Sequence, residues 1–327
     1  MPALPERGRR AWTGRARFYA RNWRLLRAAL RLWLLGLGDL PEAPRHALRE
    51  HPHATRLMGL DIANPIGLAA GIDRSGRLLR GASRAGYGFS EVGSVTPQSL
   101  AASVRRLGRR RSPGQAMPRG VNIRPATGAS AERMIDDYLH CLRRLLPVAD
   151  YLVLNLSSPF ARRGWAADPV WLESLLTRAV EARDQYHRNG GGRVPLAIKV
   201  ALAPQVSRHQ QQALLSCRRA GLDGVLLVAA PGQPEAAVCQ CLRQVKDLIG
   251  EMALISVGGI ADAAQVAGRL RAGAAAVQLF SAVLGQGPAL PGRWLEQLHP
   301  DPQPDPRPGS PPDQHPDLHT DLQGETA

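Results

Sequence analysis

Eight short apolar runs, separated by connections mostly long enough for a helix, predict an α/β chain that closes into a (β/α)8 TIM barrel. The runs lie at residues 63–69, 89–93, 120–124, 151–155, 195–200, 223–228, 252–257 and 275–279. Several connections carry helical periodicity, as in Met134, Leu139, Leu142, Leu145 and Leu146, or Leu172, Leu175, Leu176 and Val180. Strand and helix patterns that alternate along a chain imply a parallel sheet covered on both faces. The span 51–298 suits the ~250 residues that such a barrel takes. An N-terminal segment, 1–50, and a C-terminal tail, 299–327, lie outside it.

Residues 1–50 read as a basic amphipathic helical segment. Arg17, Arg21, Arg24 and Arg31 recur on one helical face, and Phe18, Leu26, Leu30, Trp33, Leu34 and Leu37 on the other. Arginine and tryptophan on opposite faces suit a helix lying in a membrane interface. Charges interrupt every apolar run in it well short of the ~20 residues that a span needs. Arg27 and Arg31 also cut the apolar region that a signal peptide would need. Two other readings stand beside this one: simple packing of the helix on the barrel, and an Arg-rich organellar transit peptide.

Within the barrel the second connection, residues 97–119, is basic and poorly periodic, and no helix is expected there. The tail from His299 onward is too polar and proline-rich to pack and is expected to be disordered. No metal site is expected at its His299, His315 and His319.

The chain is 44% hydrophobic over 327 residues, enough for one large core. A formal charge of +15, from 42 basic and 27 acidic residues, invites a nucleic-acid partner. Against it stand an aromatic content of 5% and the lack of RNP, helix-turn-helix or zinc-finger spacing, so none is expected. Cys141, Cys217, Cys239 and Cys241 lack metal or disulfide-framework spacing and read as reduced thiols.

Two places carry chemistry. Residues 151–159, Tyr-Leu-Val-Leu-Asn-Leu-Ser-Ser-Pro, form an apolar run that delivers Asn155, Ser157 and Ser158 at its C-terminal end, where barrel active sites sit. A turn or helix cap is the bland reading of the same serines. Lys199 lies inside Pro-Leu-Ala-Ile-Lys-Val, a buried-strand pattern in which a charge is costly unless something anionic meets it. It is one of only two lysines among the 42 basic residues. A snorkelling or salt-bridged strand end is the alternative there.

Seven segments in order then carry a resemblance. They are Asn-Pro-Ile-Gly-Leu-Ala-Ala-Gly-Ile-Asp at 64–73, Gly-Phe-Ser-Glu-Val-Gly-Ser-Val-Thr-Pro at 88–97, Gly-Val-Asn-Ile at 120–123 and the stretch 150–159. Val-Pro-Leu-Ala-Ile-Lys-Val at 194–200, Ser-Val-Gly-Gly-Ile at 256–260 and Ala-Gly-Ala-Ala-Ala-Val-Gln-Leu-Phe-Ser at 272–281 complete the set. Over roughly 15–298 the chain resembles the quinone-linked, membrane-associated (class 2) dihydroorotate dehydrogenases. The resemblance implies an FMN flavoprotein that oxidises dihydroorotate to orotate in pyrimidine synthesis and passes electrons to quinone. It also implies a peripheral protein at the cytoplasmic face of the inner membrane, with an organellar membrane as the alternative. By similarity Ser158 is the catalytic base, and Lys199 sits at the flavin edge where charge grows on reduction, supplying the anion that its burial requires. Ala70, Gly71, Ser94, Asn122 and Asn155 would line or hydrogen-bond the ring, Asn155 also reaching substrate, while Gly259, Phe280 and Ser281 would form the phosphate cup.

The departures from that family cluster on substrate recognition. Arg74 stands where the family has a lysine, and a guanidinium is not a conservative exchange in a packed site. Phe160 replaces an asparagine, and Val228-Ala229-Ala230-Pro231 replaces Thr-Asn-Thr-Thr. The Asn-Arg-Met-Gly-Phe-Asn and Gly-Gly-Leu-Ser-Gly segments are missing. The expectation is therefore an FMN-dependent oxidoreductase with an eroded orotate shell, Arg74 and Asn155 remaining to meet substrate. An inactive or substrate-shifted relative is the alternative.

Overall fold

The computed structural model describes residues 6–37, 52–108, 117–158, 161–162, 168–202 and 205–298. Helix α1 (Glu6–Leu37) leads into a small antiparallel hairpin, β1 (Thr55–Leu57) and β2 (Leu60–Ile62). Eight parallel strands follow: β3 (Ile66–Asp73), β4 (Phe89–Val95), β5 (Arg119–Ile123), β6 (Tyr151–Asn155), β7 (Leu196–Ala201), β8 (Gly224–Val228), β9 (Ala253–Val257) and β10 (Ala276–Leu279). They close into a barrel in chain order, β10 pairing back onto β3, and each overlaps one of the eight apolar runs. Outer helices are α2 (Leu79–Arg84), α3 (Pro97–Leu107), α4 (Ala131–Leu145), α5 (Pro169–Arg188), α6 (Arg208–Ala220), α7 (Glu235–Ile249) and α8 (Ala263–Arg271). Two short helices, α9 (Ser281–Gln286) and α10 (Leu290–Leu295), end the described chain.

Strand periodicity divides the core in two. Residues pointing outward, such as Leu152, Leu154, Ile198 and Leu227, pack under the helices, whereas Phe89, Tyr151, Val153, Leu226 and Ile255 fill the barrel interior. A side chain on Gly67 or Gly120 would occupy the space of the Phe89 and Tyr151 rings, so glycine at these two places lets each aromatic lie over the neighbouring strand inside the barrel. The β1–β2 hairpin adds Leu57, Met58 and Ile62 to this inner cluster, with Met58 packed at Gly224 where β8 begins. It closes the N-terminal mouth and leaves the C-terminal mouth for chemistry. Three-residue strands are too short to show a period, which is why the hairpin is silent in the sequence.

The second connection does hold a helix, contrary to expectation. Thr96 and Ser99 cap α3 reciprocally, Pro97 takes its first turn, and Leu100, Ser103 and Leu107 face the core. Its capping residues carry the signal that basic composition obscured.

Helix α1 packs on the barrel by one stripe and leaves another outward. Ala28 and Leu32 are buried, with Leu25, Ala29 and Gly36 beside them, where α1 crosses α2. A side chain on Gly81 would strike the Leu32 carbonyl, so the helices meet backbone to backbone there, and Arg84 Nη1 donates to the Leu35 carbonyl at 2.9 Å. The larger apolar residues Trp23, Leu26, Leu30, Trp33, Leu34 and Leu37 are exposed, Trp23 at 63%. Packing therefore uses the stripe of Leu25, Ala28, Ala29, Leu32 and Gly36 and leaves the two tryptophans outward. No described helix is long and apolar enough to cross a membrane. Residues 299–327, where disorder was expected, lie outside the described residues, as do 38–51.

All four cysteines are buried thiols, and no disulfide joins them. Burial pushes the Cys141 and Cys217 thiols up to about 12, so hardly any thiolate is present at pH 8. Mass spectrometry after iodoacetamide treatment at pH 8 should show Cys141 and Cys217 unmodified in native protein and alkylated in guanidinium. Equal labelling in both conditions would contradict their burial.

Candidate active site at the C-terminal mouth

The strand ends β3 to β10 converge on a cavity of about 1180 Å³, larger than the ~300–1000 Å³ usual for one small ligand. Ala70, Gly71, Arg74, Ser94, Asn122, Asn155, Lys199, Gly259, Phe280 and Ser281 all line it. These are ten of the eleven residues singled out from sequence. Ser158 stands outside the lining, and its neighbour Ser157 is in it. The Ser158 Oγ accepts the Ala161 amide at 3.1 Å, a cap geometry, which realises the bland reading of this serine without removing its proton. Phe160 lies outside the described residues.

Beneath the cavity a polar chain runs into the barrel interior. Glu91, fully buried on β4, accepts from Asn122 Nδ2 at 2.8 Å and from Lys199 Nζ at 3.3 Å through one oxygen. Its other oxygen accepts from Gln278 Nε2 at 2.8 Å. Asn122 Oδ1 in turn accepts from Ser94 Oγ at 2.7 Å and Asn155 Nδ2 at 3.0 Å. Asn155 Oδ1 accepts from Ser157 Oγ at 2.7 Å, and Tyr138 Oη donates to the Asn155 carbonyl at 2.6 Å. Burial raises the Tyr138 phenol above its ordinary range while the Arg124 charge opposes that shift, so Tyr138 stays a neutral donor.

The anion that Lys199 requires is thus already present in the protein. Glu91 forms the ion pair, which corrects the assignment of that role to a flavin alone and matches the salt-bridged alternative. Glu91 and Gln278 were legible only as polar interruptions of apolar strands; no spacing rule points one at the other across 187 positions.

Loops complete the rim. Asp73 takes amide hydrogen bonds from Ser75, Gly76, Arg77 and Leu78 at 2.7–3.1 Å, fixing the turn that carries Arg74. Burial pushes the Asp73 carboxyl upward, and those four amides oppose it. After β9, Gly258 and Gly259 take φ of +86° and +74°. Arg269 holds this turn: it donates to the Gly258 carbonyl at 2.7 Å while pairing with both oxygens of Glu235 at 2.8 Å. The lining includes four cations, Arg24, Arg74, Arg124 and Lys199, and no carboxylate among the described residues.

Removing Glu91 alone strands a buried ammonium, a change that typically costs about 3–5 kcal/mol. Urea unfolding should find Glu91→Ala destabilised on that scale and Glu91→Ala/Lys199→Met much less so. Equal destabilisation of both variants would show that the ion pair is not the reason.

Comparison with known proteins agrees with this architecture. A family model described as dihydroorotate dehydrogenase matches residues 100–237. The dihydroorotate dehydrogenase (quinone) of Alkalilimnicola ehrlichii is 33% identical over 83% of this chain and 92% of its own length. That of Cellvibrio japonicus is 31% identical over 81% and 89%. Among solved structures, DHODH from Eimeria tenella in complex with ferulenol has a TM-score of 0.69 at 23% identity, covering 83% of this chain and 89% of that one, a likeness of fold. The chain therefore belongs to the dihydroorotate dehydrogenase family.

Proposed function

We propose that the chain is an FMN-dependent oxidoreductase that converts dihydroorotate to orotate and passes the electrons to a quinone. The observation that carries this reading is the convergence of ten expected flavin- and substrate-site residues on one cavity. The residues suit the group: the volume admits a flavin and a second ligand, the lining offers amides and cations without carboxylates, and Gly71, at φ +101°, has no side chain where a Cβ would already lie 3.3 Å from the Phe280 ring. Asn122, Asn155 and Lys199 would hold the ring, Ala70, Gly71 and Ser94 would flank it, and Gly259, Phe280 and Ser281 would take the phosphate. FMN supplies, when bound, the hydride acceptor for the carbon next to the one that loses a proton.

The protein's own part is to position and deprotonate. Lys199, anchored by Glu91, keeps a fixed positive charge at the cavity floor. The Asn155 side chain, held by Ser94, Asn122 and Ser157 on a backbone that Tyr138 fixes, cannot rotate away from a ligand. Ser158 is the base. As Oγ takes the proton from the substrate carbon it passes its own hydroxyl proton to solvent water, and donation from the Ala161 amide stabilises the charge that grows on Oγ between the two transfers.

A second reading has a specific support. Val228, Ala229 and Pro231 give the β8 side of the cavity an apolar wall, which suits a less polar substrate or none. Anaerobic addition of dihydroorotate to FMN-loaded protein separates the two: bleaching of the visible flavin bands supports the first reading, and persistent oxidised bands the second. If it turns over, Ser158→Ala should slow reduction about 10²–10⁴-fold with unchanged FMN affinity, whereas Ser157→Ala should not. Equal losses in both variants would remove the role from Ser158.

The outward apolar face of α1 supports peripheral attachment at the cytoplasmic face of the inner membrane, with Arg24 linking that helix to the cavity rim where a quinone would approach. Changing Trp23, Leu30 and Trp33 together to Gln should abolish co-sedimentation of the full chain with liposomes. Undiminished sedimentation would refute the attachment.

A further inference from the structure

The buried cations of the described chain have carboxylate partners: Arg119 with Asp150, Arg183 with Asp184 and Asp223, Lys199 with Glu91, and Arg269 with Glu235. Arg124 is half-buried, and no carboxylate pairs with it among the described residues. It follows β5 directly, its amide donating to the Val95 carbonyl at 2.9 Å, and its half-buried side chain lines the cavity beside Ser94, Asn155 and Ser157. Among the described residues its side chain donates to the Thr127 hydroxyl, Nη1 to Oγ1 at 3.1 Å. A guanidinium has five N–H donors, and a partly desolvated one gains most from an anionic acceptor.

Position separates this cation from the phosphate end. In the strand order of the closed barrel β5 lies diametrically opposite β9, whose Gly258–Gly259 turn is the proposed phosphate cup. One anionic group at β9 therefore leaves Arg124 facing a different ligand, on the side of the cavity where Asn155 and Ser157 point. A planar fork of donors matches a carboxylate better than a single ammonium does.

We infer that Arg124 is the carboxylate-binding residue of the second-ligand subsite, taking a planar ring acid with its carboxylate on the β5 side. The inference rests on the reading of the cavity as a flavin-and-substrate site. It assigns substrate recognition to a residue that sequence reasoning did not single out.

Calorimetric titration tests it with three probes, orotate, benzoate and uncharged benzamide, on FMN-loaded protein and on flavin-free protein. Wild type should bind the two carboxylates at least tenfold more tightly than benzamide. Arg124→Gln should lose tenfold or more for both carboxylates, with benzamide and FMN affinities within twofold of wild type, and Arg124→Lys should recover part of the loss. Benzoate binding that depends on Arg124, without orotate binding, would keep the anion subsite and overturn the dihydroorotate reading. The same Arg124 dependence in protein that takes up no FMN would keep the subsite and overturn the flavin reading. Unchanged carboxylate affinity in Arg124→Gln, or no carboxylate binding by wild type, would overturn the inference itself.

Discussion

A single carboxylate sealed inside the barrel organises everything above it. Glu91 has no access to solvent, so its charge must be met by protein donors, and the three it meets come from β5, β7 and β10. Satisfying it fixes Lys199 and Asn122. Fixing Asn122 in turn fixes Ser94 and Asn155, and Asn155 fixes Ser157. The consequence is a preorganised floor whose polar atoms already have their orientations before any ligand arrives, the condition under which such groups act without reorganisation cost.

Glycine at two inner positions is what admits this arrangement. Phe89 and Tyr151 lie over Gly67 and Gly120 of the neighbouring strands and fill the lower barrel, while the β1–β2 hairpin closes the end below them. With the bottom dry and packed, the polar layer of Glu91 and Gln278 sits between an apolar plug and the cavity. A site built there belongs to the rigid sheet rather than to loops, and the loops are left to decide what enters. In this chain they contribute arginines at the rim and an apolar wall after β8.

The parts legible in the sequence are those with local periodicity or local chemistry. All eight barrel strands overlap apolar runs, because strands buried on both faces cannot hide their composition. The strand-end positions of Asn155 and Lys199 followed from the same runs. The β1–β2 hairpin was too short to show a period, and α3 announced itself only through Thr96, Pro97 and Ser99. Glu91 with Gln278, and Arg124 among its neighbours, depend on contacts across the barrel, which no local pattern encodes. Helix α1 shows the same limit: both faces were readable, yet which stripe packs is decided by the close approach at Gly81.

The account stands on the mouth cavity being a flavin site, and titration of FMN into flavin-free protein with fluorescence detection addresses that directly. It predicts saturable quenching at one FMN per chain, weakened by Lys199→Ala. Flavin fluorescence that stays unquenched with wild-type protein in excess would contradict it.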